Sequence, residues 1–264
     1  MTTKADEKEK PGTGLQTVAP GTLTRPSFIE ESMKGTEDIG LDDMKLPMLK
    51  IAQGLSKQII PSESVYIEGL KMFDLFDDLN NTIFGAGPLT FFVGRREVKR
   101  IEFDPENRAV PVDLEVPPND PRMKWTKDPT SGKGVPPRAV KFVEFVIYLT
   151  QDGKPMRPIV MSIQETNKHQ KKAHERLSGF IKMGDKPAPI YAKLYTVAVK
   201  SEKNDKGTFG VYVINQVDFI QDEALYKFAK SWTTSLEGKT IDVKREVDPD
   251  SFNPADIEAD GSGM

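Results

Sequence analysis

The run Val140-Lys-Phe-Val-Glu-Phe-Val-Ile-Tyr-Leu149 constrains this chain more than any other stretch. β-Branched and aromatic side chains suit a pleated, partly buried surface. Gln151-Asp-Gly-Lys154 follows it. Asp-Gly is a strong two-residue hairpin signal, because both turn positions need φ > 0. Arg157-Pro-Ile-Val-Met-Ser-Ile163 then reads as the returning strand. Ile190–Val199 and Thr208–Asn215 make a second hairpin around the loop Lys203-Asn-Asp-Lys-Gly207. Between the hairpins, Ala173, Leu177, Phe180 and Ile181 recur at helical spacing, which predicts a helix from Lys168 to Met183. Thr166 or Asn167 caps its start and Gly184 ends it. A second amphipathic helix runs from Asp222 to Leu236, with Ala224, Leu225, Phe228, Ala229 and Trp232 as its apolar set.

Earlier elements are shorter. Leu89–Val93 is a clear strand, and Gly94 breaks it or marks a bulge. Glu97–Phe103 alternates apolar and charged residues with one slip. Ser64–Glu68 reads as a short strand, and Lys71–Asp78 as a strand or turn. Strands joined mainly by hairpins argue for an α+β fold, mainly antiparallel, rather than a doubly wound sheet. The strand–strand–helix–strand–strand order over 140–215 suits a partly closed OB-like barrel with insertions and two late helices.

Three segments stand apart from this core. Hydrophobic residues are 37% of the chain and charged residues 29%, against about 45–50% and 25% for packed domains, so part of the chain is unlike a packed core. Residues 1–45 lack apolar periodicity and carry 6 basic and 9 acidic residues; they are expected to be disordered. Residues 242–264 carry 2 basic and 7 acidic residues and read as a disordered acidic tail. Residues 46–241 form the expected single OB-like domain, with 29 basic and 24 acidic residues. Within it, 104–139 is a Pro-rich insertion, a length that is usually functional or mobile. A basic body between acidic ends suggests a polyanion partner.

Catalytic chemistry finds little to work with. There is no cysteine, which excludes disulfides and a thiol nucleophile and fits a reducing compartment. His169 and His174 are five apart, not the i,i+4 of a helical zinc pair, and read as exposed helix residues. Asp74, Asp77 and Asp78 read as turn residues rather than a metal site. Neither a phosphate-binding P-loop nor a G-x-S-x-G elbow is present. No enzymatic activity, cofactor or metal is expected. No apolar run approaches the roughly 18–20 residues that span a bilayer, and the N-terminus lacks a secretory h-region, so a cytoplasmic protein with no membrane partner is expected.

Features that fit nucleic acid are more numerous. Arg95, Arg96, Lys99 and Arg100 lie at or just after a strand and could follow a phosphate backbone. The competing reading is a charged edge strand that resists aggregation. Arg122-Met-Lys124-Trp125-Thr-Lys127 places a Trp among three cations in the insertion. Trp125 either stacks bases or anchors the insertion. Tyr191 and Tyr195 share a face under period-2 alternation and either stack bases or pack in the core. Phe252 and Ile257 in the acidic tail are candidate docking residues for protein partners, or the tail is only solubilising.

The stretch Lys34-Gly-Thr-Glu-Asp-Ile-Gly40, followed by Leu46-Pro-Met-Leu-Lys-Ile-Ala-Gln-Gly-Leu-Ser56, resembles the start of a group of tailed-phage proteins, some of them single-stranded DNA-binding or recombination-associated. The resemblance covers residues 34–236. It implies a non-enzymatic protein that coats and protects single strands in replication or recombination, in the host cytoplasm. The tail is similar in character to those of phage and bacterial single-strand binding proteins, which implies recruitment of replication or recombination proteins. It departs from them in ending Gly-Ser-Gly-Met264. Two alternatives stay open. One is a strand-annealing recombination protein, which would form homo-oligomeric rings or filaments. The other is a virion or host-interaction protein without nucleic-acid binding.

Overall fold

The computed structural model describes residues 45–104, 111–135, 137–164, 168–182, 188–204 and 207–239. Residues 1–44 and 242–264 of the termini read as disordered, the latter with Phe252 and Ile257, lie outside the described residues, as do Thr166, Asn167 and Gly184. Eleven strands and two α-helices follow in chain order among the described residues. They are β1 (Leu49–Ile51), β2 (Leu75–Asp77), β3 (Ile83–Gly85), β4 (Leu89–Phe103), β5 (Pro111–Asp113), β6 (Thr126–Lys127), β7 (Gly134–Val135), β8 (Ala139–Gln151), β9 (Lys154–Gln164), α1 (Lys168–Lys182), β10 (Lys193–Asn204), β11 (Gly207–Phe219) and α2 (Glu223–Ser235).

The predicted hairpins are the two halves of one sheet. β8 and β9 pair antiparallel, as do β10 and β11. Asp152 (φ 51°) and Gly153 (φ 73°) both take the left-handed conformation that a tight hairpin turn requires. β4 lies between the hairpins, giving the order β11-β10-β4-β8-β9, with β5 paired to the far end of β4. The α+β, mainly antiparallel class is as the sequence indicates.

The OB-like barrel is not. The sheet stays open, with β9 and β11 at opposite ends of the strand order. A barrel needs one apolar face turned inward, and here both faces are apolar. Val143, Phe145, Ile147 and Leu149 of β8 join one core with Phe91, Val93, Met161, Tyr195 and Ile214, under Ala173 and Leu177 of α1. The alternate residues belong elsewhere. Tyr148 packs with Phe92 under Leu225, Phe228 and Ala229 of α2. Val146 packs with Val160, Leu46 and Leu236. Each face takes its own helix.

One glycine sets how closely α2 approaches. Val93 pairs with Ile147 and Arg95 with Val146, so Gly94 is an extra residue, a bulge. A Cβ there would stand 2.2 Å from the indole of Trp232. The indole lies edge-on to Phe92 (5.5 Å) and Tyr148 (4.9 Å). Asp222 caps α2 through its carboxylate, which accepts the Leu225 N–H at 2.6 Å.

The sheet edges are clipped by the preceding segment. Val160 of β9 donates to the Pro47 carbonyl at 2.8 Å. The Gln53 amide exchanges two hydrogen bonds with Gly210 of β11, at 2.8 and 3.0 Å. β1, β2 and β3 form a small antiparallel sheet that places Leu49 and Leu75 against the main core. Ser64–Glu68 is a turn and not a strand: Ile67 anchors a separate cluster with Leu70 and Phe76, while Val65 and Tyr66 face solvent. No helix among the described residues is long and apolar enough to cross a membrane.

Candidate nucleic-acid interface

The basic residues of β4 do not share one face. Successive residues point to opposite sides of a sheet, and the Gly94 bulge shifts the phase. Arg95 turns toward α2, where Nη1 donates to the carbonyl oxygens of Leu236 (2.9 Å) and Lys239. Its Nη2 pairs with Glu97, which also holds the Lys99 ammonium at 3.5 Å. A cation at a helix C-terminus offsets the negative end of the helix dipole, so Arg95 seats α2. Arg96 turns the other way. It is exposed, with Nη2 3.5 Å from Nε2 of His174 on α1. Arg100 is half-buried, and its carbonyl accepts the Val116 N–H at 2.9 Å.

Arg122 sits in a knot of carboxylates at the base of the insertion. Nε and Nη2 grip Asp120 at 2.9 and 2.8 Å. Nη1 reaches Glu102 at 2.6 Å and Asp113 at 2.9 Å. Arg138 adds a second guanidinium on the other Glu102 oxygen, 2.5 Å away. The Arg122 side chain, seconded by its backbone N–H, holds the Asp120 carboxyl down at about 2. Asp113 is lowered by the Glu115 N–H and then by Arg122. Arg122 itself is raised by Asp120, Glu102 and Asp113. Asp120 also caps the one-turn helix Pro121–Met123. Asp followed by Pro is a capping pattern visible in the sequence.

Beyond the knot, β6 and β7 form a small arm. Thr126 pairs with Val135 and Lys127 with Gly134. Asp128 closes the turn by accepting the Ser131 and Thr130 N–H groups at 2.8 and 2.7 Å, which lowers its carboxyl. The Trp125 indole lies over Gly134, where a Cβ would stand 3.5 Å from the ring. Its side chain is nevertheless 43% exposed. Lys124, Lys127 and Lys133 are exposed around it. The insertion therefore contains ordered elements, and Trp125 is both anchored on one side and open on the other.

The tyrosines do not join this surface. Tyr191 lies in a short helical turn, Ile190–Ala192, before β10, so strand alternation does not relate it to Tyr195. Its ring is 5.7 Å from that of Tyr226 on α2, and burial followed by the Tyr226 contact pushes its ionisation up. Tyr195 is fully buried on the opposite face, between Phe91 and Phe180 at 5.6 and 6.4 Å. Burial pushes it up to about 12. A side chain with no exposed area cannot stack a base, so Tyr195 leaves the candidate set.

The aspartates around β2 have local partners. Asp77 is buried, pairs with Arg157 at 3.0 Å, and accepts the Leu79 and Asn80 N–H groups at 2.8 and 3.0 Å. Asp78 accepts the Met48 N–H at 2.8 Å, and Asp74 the Lys71 N–H at 3.0 Å. No group of three or more His, Asp or Glu among the described residues has a metal-binding arrangement. His174 is buried rather than exposed. The His169 side chain lies outside the described residues.

The molecule is thus an open antiparallel sheet with a helix on each face, carrying a short basic arm with an exposed indole. It belongs to the Pam3 phage gp34-like protein family, whose model matches residues 18–242. The likeness to phage proteins thereby stands at the level of the family. Neither the curated proteins nor the solved structures give a match.

Proposed function

We propose that this phage-family protein binds single-stranded DNA through the arm, coating and protecting single strands without catalysing a reaction. One observation carries the reading. Trp125 is held against Gly134 on one side and 43% exposed, between two exposed lysines, Lys124 and Lys127. Neither lysine has an acidic partner among the described residues. A fixed aromatic ring stacks an unpaired base at little entropic cost, and flanking ammonium groups take the adjacent phosphates. In a duplex the base faces are already stacked, which favours single strands.

Stacking on one aromatic contributes about 1–3 kcal/mol per base. Trp125→Ala therefore lowers affinity for a ~30-nucleotide oligo-dT about five- to 150-fold. Lys124→Ala with Lys127→Ala weakens binding and flattens the salt dependence by roughly 0.7 for each phosphate that is no longer neutralised. Fluorescence anisotropy of labelled oligo-dT, with a duplex of equal length as control, measures both. Equal affinity of wild type and Trp125→Ala rejects stacking, and no binding at low salt rejects the function.

A further inference from the structure

Arg122 is a cation in the basic stretch next to Trp125, and on sequence grounds it is a phosphate ligand. Its geometry points elsewhere. All three of its guanidinium nitrogens are engaged by carboxylates of this chain: Nε and Nη2 by Asp120, and Nη1 by Glu102 and Asp113. Glu102 belongs to β4 and is almost fully buried. Asp113 belongs to β5, and Asp120 precedes the turn that leads into the arm. One guanidinium thus ties three separate points of the chain together. Three carboxylates against two guanidiniums, those of Arg122 and Arg138, leave the knot without surplus positive charge to offer a phosphate.

We infer that Arg122 is a positioning residue: it locks the base of the arm to the main sheet and so fixes where Trp125 and Lys124 present themselves, without touching DNA. The inference rests on the DNA-binding reading above. Only the planar fork of arginine meets this set of acceptors, because lysine offers a single point charge that cannot grip Asp120 in two places while reaching Glu102. With the lock undone, the arm must be ordered on binding, which weakens affinity. The same groups still meet the DNA in the complex, so the salt dependence does not change.

Three variants of the full chain separate this role from direct phosphate binding: Arg122→Lys, Arg122→Gln and Asp120→Ala. Folding is checked by circular dichroism and urea midpoint, and each variant is titrated with oligo-dT at several salt concentrations. All three are expected to bind about tenfold more weakly with an unchanged salt slope. Asp120→Ala is the sharpest, because it removes a negative charge and would strengthen binding if electrostatics alone mattered. Near-wild-type binding by Arg122→Lys, or tighter binding by Asp120→Ala, overturns the inference. A second readout works without DNA: the rate of trypsin cleavage after Lys124 and Lys127, mapped by mass spectrometry, is expected to rise at least tenfold in all three. If the wild type binds no oligo-dT, the DNA reading fails, and this rate alone decides the lock; unchanged cleavage in Arg122→Lys then overturns it.

Discussion

Gly94→Ala tests the packing on which the orientation of α2 depends. The added methyl would lie 2.2, 2.8 and 2.9 Å from three carbons of the Trp232 ring, all inside van der Waals contact. The ring cannot easily swing aside, because Phe92 and Tyr148 meet it edge-on at 5.5 and 4.9 Å. Overpacking a well-filled site costs about 1–3 kcal/mol, and a clash at this distance belongs at the upper end. The variant is therefore expected to lose about 2–3 kcal/mol in urea titrations followed by circular dichroism, with the m-value unchanged. The cause is isolated by a cycle with Trp232→Leu. With the indole gone, Gly94→Ala is expected to cost less than about 0.5 kcal/mol, a coupling of about 2 kcal/mol. An equal penalty in both backgrounds would falsify the idea that Gly94 is small to admit this ring.

Asp77→Ala leaves Arg157 and two turn N–H groups without their buried acceptor and is expected to cost about 3–5 kcal/mol; a change in urea midpoint equivalent to under about 1 kcal/mol contradicts this. The Tyr195 hydroxyl is buried without a hydrogen-bond partner among the described residues. Tyr195→Phe is accordingly expected to stabilise the protein by about 1 kcal/mol at neutral pH. The same tyrosine shapes alkaline stability. Its folded-state value of about 12 lies above the unfolded value of about 10, so the unfolded chain releases the proton first. The stability this tyrosine contributes is therefore lost as the pH rises between those values. Thermal melts from about pH 9 to 12 are expected to fall more gently in Tyr195→Phe, and parallel curves refute the assignment. Trp125→Ala is expected to leave stability within about 0.5 kcal/mol of wild type while weakening DNA binding; a large loss of stability means the ring is chiefly an anchor.

The β8–β9 hairpin was legible because its strand and turn chemistry agree: Asp152 and Gly153 take the positive φ values their types favour. Both helices stand within a residue or two of where apolar spacing puts them. The sheet closure was not legible. β8 has apolar residues at both parities, and that pattern requires two covered faces rather than a barrel interior. The shared face expected for Tyr191 and Tyr195 fails because alternation holds only within a strand and Tyr191 precedes it, while Tyr195 takes the core-packing alternative. The β4 basic cluster looked continuous because a sequence is read in one dimension. The bulge at Gly94 and the pleat distribute Arg95 and Arg96 to opposite faces, toward α2 and His174. Arg122 could not be assigned, since its acceptors Glu102 and Asp113 are 20 and 9 residues away. For Trp125, three cations in a Pro- and Gly-rich stretch left stacking and anchoring both open, and its seat on Gly134 with the other side exposed needed coordinates.

The arm is tested most directly by locating the DNA. A bromodeoxyuridine-substituted oligo-dT, irradiated with the full-length protein at low salt and digested, reports which peptide carries the cross-link. The expected peptide contains Trp125, and the cross-link disappears in Trp125→Ala. Cross-links confined to α1 or to β4, or none at all despite binding, would contradict recognition of single strands by the arm.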